Sequence, residues 1–521
     1  MRRWRGTPKM LLGAAILTFA ASCTAGPSTR PAIIDGGGGS GGAASTHQDT
    51  PARPALPPLS PPGAGTINWQ NCDGPVRAEL GAPAPPASLR LQCGQVLNLP
   101  RSPDEAGTIT PRISVLKAGN GKIPLLVVND VGGLPGTLYA ARLAGELPQA
   151  FLHTFSLIGV DRRGTGSSSG LHCVPQQVRQ EILGYDPDST DLAGLLDAER
   201  KATQQCVVDL DNSRQAFDTW QTAGDLDTVR AALGAPRLDA IGHGEGSRVL
   251  TVYAHRFPKR MGRIVLDGIP DPSSDPQQRA QQRAHSASDT FDAFAAHCTQ
   301  QTCPLGAQPR QAVSALLDRL RATPLSATSG TEITQGMALR AMLTALGDPS
   351  RWPVLADALA RARSGDGNGL ADLIAPALGG SSQHASRFDA RMVTGCNDDP
   401  TRLPPKKVMA AVKDAQAAEP LFGATFAQAL LLCSAWPVPS DPLPTTTGEH
   451  VPPLLVLSSA NDPVTPGPGT QHAAQLLPSA VLVSWEGTGH GAIATSPCAT
   501  QATQRFLVDG VVPTDGTVCP A

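Results

Sequence analysis

Two kinds of hydrophobic pattern alternate along the chain from about residue 110. Short apolar runs typical of strands are followed by longer stretches with helical spacing. The runs occupy residues 124–128, 155–160, 238–241 and 263–266, and the helical stretches occupy about 190–210, 219–233 and 246–256. This alternation predicts an α/β fold, with a mostly parallel sheet covered by helices on both faces.

The alternation stops after Pro272 and resumes near residue 440. In between, Ala-, Gln- and Arg-rich segments such as 312–322 and 354–363 have helical spacing, which indicates an inserted helical cap. Strands at 453–457 and 480–483 and helices near 470–476 and 499–508 complete the pattern. The sequence therefore predicts a core made of residues 66–272 and 440–521, with a cap at 273–439.

The N-terminus has the pattern of an export signal. Four basic residues precede an apolar run at 10–21, which is too short to span a bilayer. We expect a signal peptide at 1–22 and a lipid-modified Cys23, although Ala20 replaces the usual leucine of lipoprotein signals. The alternative is ordinary cleavage after Ser22. The Gly/Pro/Ser-rich segment 23–65 predicts a flexible tether, so the protein is expected at the cell surface, lipid-anchored at Cys23, or secreted.

Cysteine number supports the same compartment. Of eleven cysteines, ten remain once Cys23 is set aside, an even number that suits five disulfides in an exported chain. Spacing alone does not fix the connectivity, but sequence neighbours suggest Cys72–Cys93, Cys173–Cys206, Cys298–Cys303, Cys396–Cys433 and Cys498–Cys519.

Charge and composition exclude some functions. The 42 basic and 44 acidic residues give a net charge of −2, without a Lys/Arg cluster that would follow a phosphate backbone. No nucleic-acid partner is expected. Without Cys-x-x-Cys or a Cys/His cluster of zinc spacing, we expect neither a metal nor another cofactor.

A candidate catalytic constellation begins at Gly242-His243-Gly244-Glu245-Gly246, between a predicted strand and helix. This turn resembles the G-x-S-x-G nucleophile elbow of α/β-hydrolases, with Gly244 in place of the serine. Asp462 and His490 follow later strands in the order expected for the acid and the histidine. The backbone N–H groups of Glu245 and of Gly133, in the loop after strand 124–128, are the candidate oxyanion hole.

Further motifs make the resemblance specific. They are Gly132-Gly133-Leu134-Pro135-Gly136, Asp161-Arg162-Arg163-Gly164-Thr165-Gly166, Leu266-Asp267-Gly268, Cys433-Ser434-Ala435-Trp436-Pro437, Asn461-Asp462-Pro463-Val464-Thr465-Pro466 and Gly489-His490-Gly491. Over about residues 68–521 the chain resembles the secreted tripeptidyl-aminopeptidase-like serine peptidases, which are α/β-hydrolases related to prolyl aminopeptidases. It departs from them at Gly244 and in the oxyanion loop.

The resemblance implies catalytic roles for Asp462 and His490, a helical cap over the pocket, and cleavage of short peptides from a free N-terminus. Family members bind the substrate's amino group with acidic cap residues. Asp398 and Asp399 are the candidates here, and a solvated acidic turn is the alternative. Short peptides or protein N-termini are therefore the expected partners.

Other residues near the elbow have structural interpretations. Ser247 lies three residues beyond the nucleophile position, where helix capping is expected. Glu245 is expected to contribute its backbone N–H rather than its carboxylate, and His243 is expected to shape the turn. The pattern Gly242-x-Gly244-x-x-Ser247 with Asp267 also resembles a dinucleotide fingerprint, but that interpretation leaves Asp462 and His490 unexplained.

Two functions remain open. The first is a peptide-binding or catalytically impaired member of the family that kept its pocket and lost its nucleophile. The second is an active hydrolase, either because another nucleophile or an activated water operates or because Gly244 is not the natural residue.

Overall fold

The computed structural model describes residues 55–81, 84–97, 112–379, 386–448 and 450–521. The strands are β1 Gln70–Asn71, β2 Leu91–Val96, β3 Ile113–Ala118, β4 Ile123–Val128, β5 Phe155–Val160, β6 Leu238–His243, β7 Met261–Asp267, β8 Leu325–Ser326, β9 Glu332–Ile333, β10 Leu454–Asn461, β11 Ala480–Thr488 and β12 Thr517–Cys519. The helices of the core are α1 Asp73–Leu80, α2 Gly136–Glu146, α3 Gln149–Thr154, α4 Gln176–Leu183, α5 Ala193–Leu210, α6 Thr219–Ala232 and α7 Glu245–Arg256, followed after the cap by α16 Gly467–Gln475 and α17 Pro497–Gln504. The cap helices are α8 Pro276–Gln300, α9 Pro309–Ala322, α10 Gln335–Leu346, α11 Trp352–Arg363, α12 Asn368–Leu378, α13 Arg387–Asp398, α14 Pro405–Ala418 and α15 Gly423–Gln428.

Ten of the strands form one mixed sheet, in the order β1-β2-β3-β5-β4-β6-β7-β10-β11-β12. The pairings from β5 to β12 are parallel, and the pairings among β1, β2, β3 and β5 are antiparallel. The mostly parallel α/β-hydrolase fold expected from the sequence is confirmed. In this order β4, β6, β7, β10 and β11 are neighbours and their carboxyl ends share one edge, so loops distant in sequence meet there.

Both faces of the sheet are buried. In β4, Leu125 and Val127 belong to one hydrophobic cluster and Leu126 and Val128 to another. Successive side chains of a strand point to opposite faces, so a strand buried on both sides is apolar throughout rather than alternating. This is the physical reason why the continuous apolar runs predicted the central strands.

The helical insertion predicted at 273–439 comprises α8–α15 and the short β8–β9 pair. Its hydrophobic cluster extends further, because Leu195 and Cys206 of α5 are buried in the same cluster as the cap helices. A buried ion pair of 3.1 Å between Arg179 of α4 and Asp389 of α13 joins this earlier segment to the insertion. The segment carrying α4 and α5, which the sequence assigned to the core, therefore packs with the cap.

The tether predicted at 23–65 is too long at its C-terminal end. Within residues 55–65, the Gly63 N–H donates to the Gly234 carbonyl at 2.9 Å, and the Pro57 carbonyl accepts from Arg263 at 3.1 Å. This part of the chain is bound to the domain. The signal peptide, Cys23 and the rest of the tether lie outside the described residues.

Within the described residues five disulfides are formed, and their connectivity is the one suggested by sequence neighbours: Cys72–Cys93, Cys173–Cys206, Cys298–Cys303, Cys396–Cys433 and Cys498–Cys519. Each closes a short stretch of chain within one part of the fold. In the part of the chain that the structure describes, no helix is both long enough and apolar enough to cross a bilayer.

Candidate active site

The predicted elbow forms the turn between β6 and α7, and Gly244 lies at its apex. Gly244 has φ +56°, in the region that glycine adopts without strain, and its N–H donates to the Asp267 carbonyl at 3.0 Å. A Cβ built on Gly246 would lie 2.0 Å from the Val128 carbonyl oxygen, so α7 packs against β4 at a distance that only glycine permits. The strand–turn–helix backbone predicted from the sequence is therefore present, with glycine at the apex of the turn.

Asp462 and His490 meet at the same edge of the sheet, after β10 and β11. Nδ1 of His490 lies 3.0 Å from each carboxylate oxygen of Asp462. Asp462 also accepts from the N–H groups of Val464 and Thr465 and from the Thr465 hydroxyl, each at 2.8 Å. These donors fix the carboxylate, which in turn orients the imidazole, as the acid of a catalytic triad does.

The cap contributes directly to this arrangement. The hydroxyl of Ser286 in α8 donates to the Asp462 carbonyl at 2.7 Å, and the Gly347 carbonyl accepts from the His490 N–H at 2.7 Å. A Cβ built on Gly132 would lie 3.2 Å from Cδ of Arg391 in α13. The cap thus contacts the histidine, its acid and the loop after β4.

Asp130, in the loop after β4, occupies the space that an elbow side chain would take. A Cβ built on Gly244 would lie 2.2 Å from Asp130 Oδ1 and 2.7 Å from its Cγ. Oδ1 accepts from the Glu245 N–H at 2.6 Å, and Oδ2 lies 2.7 Å from Nε2 of His490. The carboxylate therefore takes both the contact with the histidine that a serine would make and the N–H predicted for the oxyanion hole.

Two carboxylates now share one imidazole. Burial disfavours the charge on His490, but the charges of Asp462 and Asp130 and their hydrogen bonds outweigh it and raise the pKa of His490 well above 6.5. Burial likewise opposes ionisation of Asp130, yet His490, with a smaller effect of His243, lowers its pKa below the usual 3.8. The pKa of Asp462 is lowered by the same partner against the same burial penalty. Near neutral pH the site is therefore an imidazolium held between two carboxylates.

Comparison with known proteins identifies the family. Residues 419–519 match a family model described as TAP-like protein. The chain is 30% identical over 427 residues to serine protease Hip1 of Mycobacterium tuberculosis (strain ATCC 25618 / H37Rv), which covers 77% of this chain and 82% of the relative. The chain belongs to the TAP-like family of α/β-hydrolases. It is also 26% identical over 480 residues to tripeptidyl aminopeptidase of Streptomyces lividans, covering 85% of this chain and 84% of that relative. The family resemblance found in the sequence is confirmed.

The oxyanion loop of this TAP-like chain differs from the prediction. The Gly133 N–H donates to the carbonyl of Asp130 at 3.2 Å, inside the turn, so it is not directed at a substrate oxygen. The Glu245 N–H is at the predicted place and already has Asp130 Oδ1 as acceptor. Sequence reasoning missed Asp130, and the signal available to it was a carboxylate in the loop just after β4.

The acidic clamp that the TAP-like resemblance suggested is engaged elsewhere. Asp398 accepts from the N–H and hydroxyl of Thr219, each at 2.8 Å. Asp399 forms an ion pair of 2.7 Å with Arg279 and accepts from the Thr401 N–H at 2.8 Å. Both carboxylates stabilise the junction of α6, α8 and the end of α13, so the structure does not bring them to the His490 site as free acceptors.

The remaining elbow residues have structural contacts. Ser247 is fully buried and its hydroxyl donates to the Gly242 carbonyl at 2.9 Å, so it neither caps α7 nor reaches the site. The Asp267 carboxylate accepts from the N–H groups of Ala492 and Ile493, at 2.7 and 3.2 Å, which accounts for the acid of the apparent dinucleotide fingerprint. His243 is buried beside His490, with ring centroids 4.2 Å apart.

A buried acid beside Asp398 makes the stability of this TAP-like domain depend on pH. Burial raises the pKa of Asp218 from 3.8 to about 7, against the opposing hydrogen bond from the Gln221 N–H. Because the carboxyl group holds its proton more tightly in the folded state than in the unfolded state, the folded protein is most stable below about pH 4. That stability is lost as pH rises through about 7. Asp218→Asn keeps the cap acceptor of α6. Relative to wild type it should gain about 2 kcal/mol between pH 4 and pH 8, after discounting for partial exposure. Urea unfolding at both pH values measures this gain, and an equal difference at both would contradict it.

Proposed function

We propose that this TAP-like protein is an exported peptide-binding member of the family, and that it does not cleave amide bonds by serine acyl transfer. The observation that carries the proposal is the carboxylate of Asp130, seated against Gly244 and held by both the Glu245 N–H and His490 Nε2. The family's chemistry needs an oxygen nucleophile, a neutral imidazole and a vacant oxyanion hole. Position 244 offers no oxygen nucleophile, and Asp130 engages both the imidazole and the N–H of the oxyanion hole.

The size of the rate loss expected without a serine argues against serine catalysis. Removal of a nucleophile serine typically lowers turnover about a millionfold. The imidazole must also accept a proton to act as a base, and the raised pKa of His490 keeps that position filled at neutral pH. The cap still contacts the His490 site through Ser286 and Gly347, so we expect a ligand held there to be bound without being cleaved.

The charge of the cap bears on which peptides bind. Arg283 of α8 lies over the Phe426 ring at 5.0 Å, and within the described residues its buried Nε has no hydrogen-bond partner. Burial, and next the charge of Arg391, lower the pKa of Arg283 to about 10. Among the described residues of the cap, the charged groups near the site are thus arginines rather than free acids. We therefore expect binding to favour peptides with a carboxylate over those recognised by their amino group alone.

Export and anchoring are part of the proposal. Five disulfides support an oxidising compartment. The N-terminal pattern supports a signal peptide and, at Cys23, a lipid attachment that would keep the domain at the cell surface.

Peptide turnover and peptide binding test the proposal separately. Against tripeptide amides, the purified protein is expected to turn over about a millionfold more slowly than a serine-bearing family member assayed in parallel. Calorimetry with the free-acid tripeptides should show saturable binding. Arg283→Gln should weaken it, while Arg310→Gln, which breaks an exposed pair with Asp292, should leave it unchanged.

Two results would overturn the proposal. Enzymatic turnover by the wild type that His490→Ala abolishes would mean that another nucleophile operates, and loss of that turnover in Asp130→Asn would identify Asp130. The absence of binding for every peptide, with either terminus free or blocked, would remove the peptide-binding function.

A further inference from the structure

Three potential metal ligands converge at the site from three separate strand ends. They are Asp130 after β4, His243 at the end of β6 and His490 after β11. Each offers one ligand atom, and these atoms all lie within 4.8 Å of one another. Serine acyl transfer uses only His490 of these three, so the other two need an explanation of their own.

His243 has an unsatisfied polar atom. The residue is buried, and in the described part of the chain its Nδ1 has no hydrogen-bond partner. The nearest carboxylate oxygen, Oδ2 of Asp267, lies 3.6 Å away. Because Nδ1 faces Asp267, Nε2 is the ring nitrogen of His243 that is left for the cluster with Asp130 and His490.

The surroundings orient the imidazole of His490 as that of a metal-binding histidine is oriented, and they place a carboxylate near His243. His490 bonds through Nδ1 to Asp462, which leaves Nε2 directed at Asp130. Asp267, held by two backbone N–H groups, lies on the Nδ1 side of His243. A carboxylate hydrogen-bonded behind a coordinating histidine is the usual arrangement around protein-bound zinc, and His490 has it, while the carboxylate behind His243 lies 3.6 Å away.

We propose that Asp130, His243 and His490 form a binding site for a zinc ion. Two imidazole nitrogens and one carboxylate oxygen are a donor set that zinc accepts, with a fourth position left for water. Zinc bonds of about 2.0–2.2 Å in a tetrahedral site place ligand atoms roughly 3.3 Å apart. The Asp130 and His490 atoms, now 2.7 Å apart, would separate by roughly 0.6 Å to admit the ion.

The site explains why a carboxylate stands beside Gly244. A side chain at the elbow would overlap Asp130, because a Cβ there comes within 2.2 Å of Oδ1. Glycine at this position therefore lets the carboxylate complete the ligand set. The ion would also take the place of the proton that Asp130 and His490 share.

Zinc titration of the chelator-treated full chain, followed by calorimetry, tests the proposal without peptide or substrate. One equivalent of zinc is expected to bind, and cobalt in its place should give the visible absorption of a tetrahedral centre. Asp130→Asn and His243→Ala should each weaken zinc binding at least tenfold. His472→Ala is the matched control, since His472 also pairs with a carboxylate, Asp271 at 2.8 Å, outside the cluster.

Asp130→Asn nearly preserves side-chain shape and decides the matter if His243→Ala fails to fold. Zinc binding that is absent, or that is unchanged in Asp130→Asn, would overturn the inference. Peptide binding measured in the presence of chelator does not depend on zinc, so that measurement tests the proposed function separately.

Discussion

Serine at position 244 is expected to leave the protein without peptidase activity unless Asp130 is replaced in the same chain. In Gly244→Ser alone, the new Cβ would lie 2.2 Å from Asp130 Oδ1, and the carboxylate still competes for the Glu245 N–H and for His490. In Gly244→Ser/Asp130→Gly, the serine hydroxyl can reach Nε2 of His490, and the oxyanion donor becomes available. Turnover of tripeptide amides should then rise at least about a thousandfold over wild type, a fraction of the millionfold effect of a complete triad.

The Asp462–His490 pair provides the control for this experiment. His490→Ala in the double variant should abolish the gain, because the serine loses its base. Asp130→Gly alone should remain inactive, since it supplies no nucleophile. If Gly244→Ser alone reached the activity of the double variant, the Asp130 carboxylate would not be what blocks the elbow.

Arg163→Met is expected to destabilise the fold by about 3 to 5 kcal/mol. Arg163, in the motif after β5, forms two parallel hydrogen bonds to Asp225 of α6, of 2.7 and 2.8 Å. Both side chains are almost fully buried, at 4% and 2% exposure. Removing the guanidinium takes away these two hydrogen bonds and the positive charge that faces a buried carboxylate. A urea unfolding curve at pH 7 should show the loss as a lower transition midpoint.

An exposed ion pair sets the scale for this measurement. Arg310 and Asp292 are 46% and 60% exposed, so Arg310→Met should cost less than about 1 kcal/mol. Arg163→Met/Asp225→Leu should recover much of the loss, because replacing both members of a buried pair by apolar groups is often tolerated. A midpoint for Arg163→Met equal to that of Arg310→Met would show that the motif is not held by this ion pair.

Local patterns in the sequence predicted much of the fold. Apolar runs predicted β4, β5, β6, β7, β10 and β11, because strands buried on both faces cannot alternate with polar residues. The antiparallel β2 and β3 were missed, since Leu91–Val96 and Ile113–Ala118 mix polar with apolar positions. The packing of α4 and α5 against the cap was also not predicted, because an amphipathic helix shows that it has a buried face without showing what covers it.

Of the site, the sequence by itself determined that Gly244 lies in a turn between a strand and a helix and that Asp462 and His490 follow later strands. These features can be recognised from short stretches of sequence, as glycines in a turn and as residues just after strands. Only the tertiary structure decided that Asp130 fills the space beside Gly244, that Asp398 and Asp399 are engaged elsewhere, and that His243 completes a cluster with Asp130 and His490. The reason is physical: the parallel order of β4, β6 and β11 brings together loops that are hundreds of residues apart, and no local pattern records which side chain fills a space left by another.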